Sequence, residues 1–68
     1  MKYLVLIEKS TTGYSAYSPD VDGCVAAAKS KRAVERSMRT ALELHLEAMH
    51  ADGLRVPPPQ TTSTYVEV

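Results

Sequence analysis

A single amphipathic helix is the feature that most limits what this chain can fold into. From Val34 to Met49, apolar residues recur at the three- and four-residue spacing of one helix face. Ser30 is a good N-cap residue before this stretch, and Gly53 follows its expected end near Ala51. The apolar stripe consists of Val34, Met38, Ala41, Leu42, Leu46 and Met49, with His45 near its middle. A lone helix must bury such a stripe against another layer, and a sheet is the layer that the rest of the chain can supply.

Four stretches of the remaining sequence have the composition of β-strands. The first is apolar on both faces of an extended chain, which is typical of a strand covered on both sides. Turn-forming residues separate the first three stretches, and the last one alternates along its length. The predicted strands are Lys2–Lys9, Tyr14–Ser18, Cys24–Ala28 and Ser63–Val68. We therefore predict one α+β domain over residues 1–68, in the order β-β-β-α-β. It has a four-stranded, mainly antiparallel sheet with one helix on one face.

The first strand also predicts self-association. Leu4 and Leu6 share one of its faces, and Tyr3, Val5 and Ile7 share the other, but one helix covers only one face. The chain has 68 residues and one cysteine, so it forms no internal disulfide, and a domain of this size is only marginally stable alone. We expect a homo-dimer or a tetramer that buries the uncovered face or pairs the edge of the final strand.

Charge and hydropathy exclude some functions and locations. Eight basic and eight acidic residues give a formal net charge of zero, which argues against a protein that coats nucleic acid. The apolar run Tyr3–Ile7 is shorter than the roughly 7 to 15 residues of a signal-peptide core, and far shorter than the roughly 20 of a membrane span. A free thiol and no signal peptide favour the cytoplasm.

Few residues have the pattern of a catalytic or metal site. Cys24 could pair with His45 or His50 as a nucleophile and base, but a buried cysteine and a packed histidine explain the same residues. Asp20 and Asp22 share a loop, and without further oxygen ligands they are better explained as turn formers than as a calcium site. We expect no catalysis, metal or cofactor. A small hydrolase or nuclease that uses Asp20, Asp22 or Cys24 is the enzymatic alternative.

Basic residues gather where the helix begins, although the helix dipole favours acids there. Lys29, Lys31, Arg32, Arg36 and Arg39 precede Glu43, Glu47 and Asp52. Such a cluster fits contact with an acidic partner or a phosphate backbone, or else it is a solvated face. The residues that we expect to contact a partner are Tyr14, Tyr17, Asp20, Lys31, Arg32, Arg36 and Arg39.

Taken in order along nearly the whole chain, several short motifs resemble the HicB antitoxin family. The resemblance lies in two stretches, "KYLVLIEKSTTGYSAYSPDVDGC" and the later "ALELHLEAMHADGLRVPPP". Its motifs are Gly13-Tyr14, Pro19-Asp20, Gly23-Cys24, Ala41-Leu42, Gly53-Leu54 and Pro57. The resemblance implies a partial RNase H-like fold without that fold's catalytic carboxylates. It also implies that Gly23 and Cys24 belong to a turn and a strand common to the family, and that the Cys24 thiol has no chemical role.

The family resemblance implies a protein-binding module that neutralises HicA, a small toxin that cleaves mRNA. This sequence has Val21-Asp22-Gly23 where the family usually has Leu-Pro-Gly, Ala28 near a usual glycine, and bases where the family has acids at the helix start. It ends at the fourth strand, before the DNA-binding module of many members, so we do not expect operator binding. The alternative is a stand-alone self-assembling protein without a toxin partner, with weak nucleic-acid contact through its basic helix start.

Overall fold

A computed structural model describes residues 1–68 as a three-stranded sheet with one helix. The strands are β1 (Leu6–Lys9), β2 (Tyr14–Tyr17) and β3 (Val25–Ala28), and the helix is α1 (Lys31–Ala51). The strands lie in the order β1-β2-β3, and both neighbouring pairs are antiparallel. The prediction of an α+β chain with an antiparallel sheet and one helix is therefore confirmed.

The helix begins and ends where its capping residues predict. The Ser30 hydroxyl accepts a hydrogen bond from the Ala33 amide at 3.1 Å, which satisfies one of the free donors of the first turn. At the other end, Gly53 has a φ of 72°, and its amide donates to the His50 carbonyl at 3.1 Å. The Leu54 amide donates to the Met49 carbonyl at 2.9 Å, which completes a Schellman motif. No helix of the protein combines the length and the apolarity that a membrane crossing needs.

The first strand is shorter than predicted, because its partner is short. Leu6 pairs with Tyr17, which is the last residue of β2, so the residues before Leu6 have no ladder partner. The Ser18 hydroxyl instead donates to the Leu4 carbonyl at 2.9 Å and holds this segment beside the sheet. The prediction of a strand over Lys2–Lys9 was thus wrong for its first four residues, and the structured strand is Leu6–Lys9.

The core lies between the helix and one face of the sheet. Its buried apolar residues are Ala16, Val21, Cys24, Val34 and Met38. Tyr3, Val5 and Ile7 pack against this cluster, together with Ala41, Leu42 and Leu46 of the helix stripe. The helix therefore covers the Tyr3 side of the first segment, and the side with Leu4 and Leu6 is left without a layer.

The predicted fourth strand, Ser63–Val68, is not formed in the single chain. After the helix, the segment through Thr61 is held to the body of the domain, and all of the residues that follow are exposed. A strand forms when its backbone amides and carbonyls pair with those of a neighbouring strand, and this segment has no neighbouring strand. The four-stranded sheet was therefore wrong for the isolated chain, although the alternating pattern of the segment is typical of a strand.

Candidate partner-binding surfaces

A row of apolar side chains crosses the uncovered face of the sheet. Leu6 pairs with Tyr17, and Tyr17 pairs with Val25, so the three side chains lie side by side on the same face. Tyr17 is 41% exposed and Val25 is 67% exposed, while Leu6 is half-buried. Leu4 lies two residues before Leu6 and extends the row. We call Leu6, Tyr17 and Val25 the open-face row, and it is the apolar surface of the sheet that is free to contact a partner.

The two tyrosines of β2 lie on opposite faces. Tyr14 pairs with Lys9 and Ala28 and is half-buried against the core on the helix side, three residues from Tyr17. Successive side chains of a strand alternate between faces, so residues three apart point to opposite sides. Tyr14 and Tyr17 were both predicted to contact a partner, and the structure does not bring them into one patch.

The predicted basic residues of the helix are all exposed. Arg32, Arg36 and Arg39 follow each other at spacings of four and three and form one stripe, while Lys31 lies beside it. We call Arg32, Arg36 and Arg39 the basic stripe. The first turn contains no acidic residue, as the sequence predicted. The helix covers the face of the sheet opposite the open-face row, so the basic stripe is separate from that row, and Arg39 at its end also lines the space between the helix and Tyr3.

Asp20 binds the C-terminal segment of its own chain. Its carboxylate accepts hydrogen bonds from the Gln60 amide at 3.0 Å, the Thr61 amide at 2.9 Å and the Thr61 hydroxyl at 2.6 Å. The hydroxyl hydrogen bond is the largest of the effects that lower the pKa of Asp20, followed by the Thr61 amide. Asp20 was predicted to contact a partner, and the structure gives it an internal role that no local pattern reveals, because Thr61 is 41 positions away.

Replacing Asp20 by alanine should release the segment around Thr61 without unfolding the core. Because the folded pKa of Asp20 is lowered, the anchor is intact above the ordinary carboxyl pKa of about 4 and is lost as the pH falls through the lowered pKa of the folded chain. Amide hydrogen exchange at Gln60 and Thr61 measures this release, which should follow the titration of Asp20 in the native chain. Asp22→Ala is the matched control, since Asp22 is exposed in the same loop. Unchanged exchange at Thr61 in the Asp20 variant would contradict the anchor.

Cys24 belongs to the core. Its side chain is 4% exposed among Val21, Val34 and Met38, and burial raises the pKa of its thiol. A nucleophilic cysteine needs the opposite shift, since the thiolate is the reactive form. No three His, Cys, Asp or Glu residues come together as a metal site would require. The geometry around Cys24 supports a packing role.

A groove runs between the first segment of the chain and the helix. Its volume is about 770 Å³. Tyr3, Val5 and Ile7 line one side, and the helix lines the other with apolar residues among Glu35, Arg39 and Glu43. The apolar helix residues are Met38, Leu42 and Leu46. The groove lies beside β1, whose outer edge has no neighbouring strand.

The model of one protein family matches almost the whole chain. The family is the HicB-like antitoxin of bacterial toxin-antitoxin systems, and the match covers residues 3–68. The chain belongs to this family. The resemblance that the sequence motifs indicated is therefore confirmed, and a role in a toxin-antitoxin system follows from the family.

One relative and one solved structure are similar to this member of the family. A UPF0150 protein of Helicobacter pylori strain J99 is 41% identical over 49 residues, which make up 72% of this chain and 68% of the relative. A chain in a solved "HicA3 and HicB3 toxin-antitoxin complex" aligns with a TM-score of 0.73 and 32% identity. That alignment covers 87% of this chain and 70% of the solved one. The sheet and helix described above are thus the fold of a protein from such a complex.

Proposed function

We propose that this chain neutralises a HicA-like, mRNA-cleaving toxin by binding it directly, in the cytoplasm where mRNA is translated. The open-face row is the observation that supports the proposal. Leu6, Tyr17 and Val25 form a continuous apolar strip on a rigid sheet, in a chain whose family acts in toxin-antitoxin systems. Such a strip, with an aromatic residue at its centre, has the composition of an interface core. In this role the chain acts by occupying a surface and needs no catalytic group.

The charge beside the open-face row also suits such a partner. Glu8 lies two residues after Leu6, on the same face of β1, and it is exposed. A toxin that cleaves mRNA must attract the phosphate backbone, so we expect its working surface to be basic. A carboxylate at the border of the apolar row complements that surface, and occupying it would exclude the RNA.

Replacing Tyr17 by alanine should weaken binding of the toxin by about 30-fold or more, the effect typical of an aromatic residue at the centre of an interface. The test is calorimetric titration of the full chain with a purified HicA-like toxin. An assay of mRNA cleavage should show loss of inhibition at the same protein concentrations. Leu44→Ala is the matched control, because Leu44 is 62% exposed on the helix, away from the open-face row.

The basic stripe is the other surface that the titration distinguishes. Reversing Arg32 and Arg36 to Glu removes the charge that would attract an acidic partner, and such an effect would be strongest at low salt. If the double variant binds the toxin more weakly while Tyr17→Ala binds it as the wild type does, the toxin contacts the helix. That result would contradict the proposal that it binds the open-face row. If the wild-type chain binds the toxin and neither variant changes the affinity, both surfaces are excluded as the toxin-binding site. If the wild-type chain does not bind the toxin, the proposed function is wrong.

A further inference from the structure

The C-terminal residues Thr62–Val68 make an exposed tail that belongs to the domain. Val66 is 77% exposed, and Tyr65 and Val68 are fully exposed. The radius of gyration is 13.1 Å, whereas a compact chain of this length has about 11 Å, and the longest dimension is 42 Å. Nevertheless, the family match extends through residue 68. A segment that is part of the family domain, and that exposes three large apolar side chains, lacks its packing partner in the single chain.

The same structure has an unfilled place for a strand. The outer edge of β1 is unpaired, because β2 occupies only its other side. The helix packs on β2 and β3, and the groove beside β1 is lined by Val5, Ile7 and Leu42 among other apolar residues. A strand added at this edge would place alternate side chains in the groove and the others on the open face of the sheet.

We propose that the tail of one copy adds as a strand to the free edge of β1 in a second copy, and that the exchange is reciprocal. The tail alternates, so Thr64, Val66 and Val68 share one face, and the two valines fit the apolar groove. Tyr65 then lies on the other face, next to Leu6. A two-fold axis repeats the contact and closes the dimer.

The anchor at Asp20 explains why the tail reaches a second copy. The Asp20 carboxylate holds Gln60 and Thr61, and the Tyr3 hydroxyl donates to the Pro57 carbonyl, so the chain before the tail is fixed to the body. Pro57, Pro58 and Pro59 stiffen the same segment. Every residue of the tail is exposed, and none of them pairs with the sheet of its own chain. In the single chain the backbone groups of the tail meet no strand edge, and a second copy supplies one.

Replacing Val66 by Glu should convert the dimer into a monomer. Light scattering of the full chain at tens of micromolar should give twice the monomer mass of 7.4 kDa for the wild type and the monomer mass for the variant. Val66 makes no core contact in the single chain, so the variant keeps its helix content, and circular dichroism checks this. Leu44→Glu is the matched control on the exposed side of the helix and should remain a dimer.

Two further measurements separate this dimer from the other possible arrangements. The amides of residues 64–68 should gain protection from hydrogen exchange as the protein concentration rises, and lose it in the Val66 variant. Val25→Glu should leave the mass unchanged, because Val25 lies on the open face, away from the exchanged strand. The proposal would be overturned by a monomer at all concentrations, or by a tail that is equally protected in a monomer. It would also be overturned if the Val25 change disrupted the dimer and the Val66 change did not.

Discussion

Replacing Met38 by alanine should leave a large fraction of the protein unfolded at room temperature. The Met38 side chain is 1% exposed between the helix and the sheet, in contact with the rest of the buried cluster. Truncating a buried methionine costs about 2–5 kcal/mol, because the lost contacts leave a cavity. A core of this size supplies roughly 3–5 kcal/mol, so the substitution removes most of the stability. Urea denaturation followed by far-UV circular dichroism measures the loss.

Leu44→Ala is the control for the Met38 substitution. Both residues lie on the same helix, but Leu44 is on its outer side, away from the sheet. A surface truncation changes the free energy of unfolding by about 0.5 kcal/mol or less. If the two variants unfold at the same urea concentration, the helix does not bury the face that the structure assigns to it.

Replacing Gly13 by asparagine should destabilise the protein by about 3 kcal/mol, because it forces two backbone segments apart. A Cβ atom at Gly13 would lie 2.4 Å from the Ala28 carbonyl oxygen and 3.1 Å from the Lys29 Cα atom. Neither neighbour is a flexible side chain that could turn away, so the end of β3 would have to move. The free energy of unfolding from urea denaturation is again the measurement.

Gly53→Asn is the matched control for the Gly13 substitution. Gly53 has a φ of 72° at the end of the helix, and apart from its chain neighbours nothing lies within 4 Å of the position of a Cβ. Asparagine tolerates the left-handed conformation there, so the expected cost is below about 1 kcal/mol. Equal losses in the two variants would show that the cost at Gly13 comes from asparagine itself and not from the approach of β3.

The toxin-binding and tail-exchange proposals use different parts of the chain. The toxin surface is the open-face row, with Tyr17 at its centre, and the exchange surface is the groove beside the edge of β1. In a dimer formed through the tails, Tyr65 would lie beside Leu6 at the border of the open-face row, whereas Tyr17 and Val25 lie farther from the exchanged strand. The Val66 variant therefore tests assembly with Tyr17 intact, and the Tyr17 variant tests toxin binding with the tail intact.

Two of these features have a signal in the sequence itself. Tyr14 and Tyr17 are three residues apart on a strand, and this spacing alone places them on opposite faces. Val21 falls between two of the predicted strands, yet it is 1% exposed in the core. It is the one large apolar residue between Pro19 and Gly23, and an isolated apolar residue in a loop is a candidate for packing against the core.

The sequence by itself determined the features that depend on neighbouring residues. The helix begins after Ser30 and ends before Gly53, since capping and the αL conformation act within one turn of the chain. The helix stripe and the hairpin between β1 and β2 were likewise predictable from periodicity and turn residues. The family, too, followed from short motifs in their order along the chain.

Only the tertiary structure decided the features that join distant parts of the chain. The choice between the Tyr3 and Leu4 sides of the first segment depends on where the helix docks, because both sides are apolar. The anchoring of Thr61 by Asp20 spans 41 positions and leaves no local pattern. Whether Ser63–Val68 becomes a strand is likewise not a local property. The alternating side chains suit a strand, but a strand forms only where a neighbouring strand satisfies its backbone hydrogen bonds. In the single chain no strand lies beside that segment.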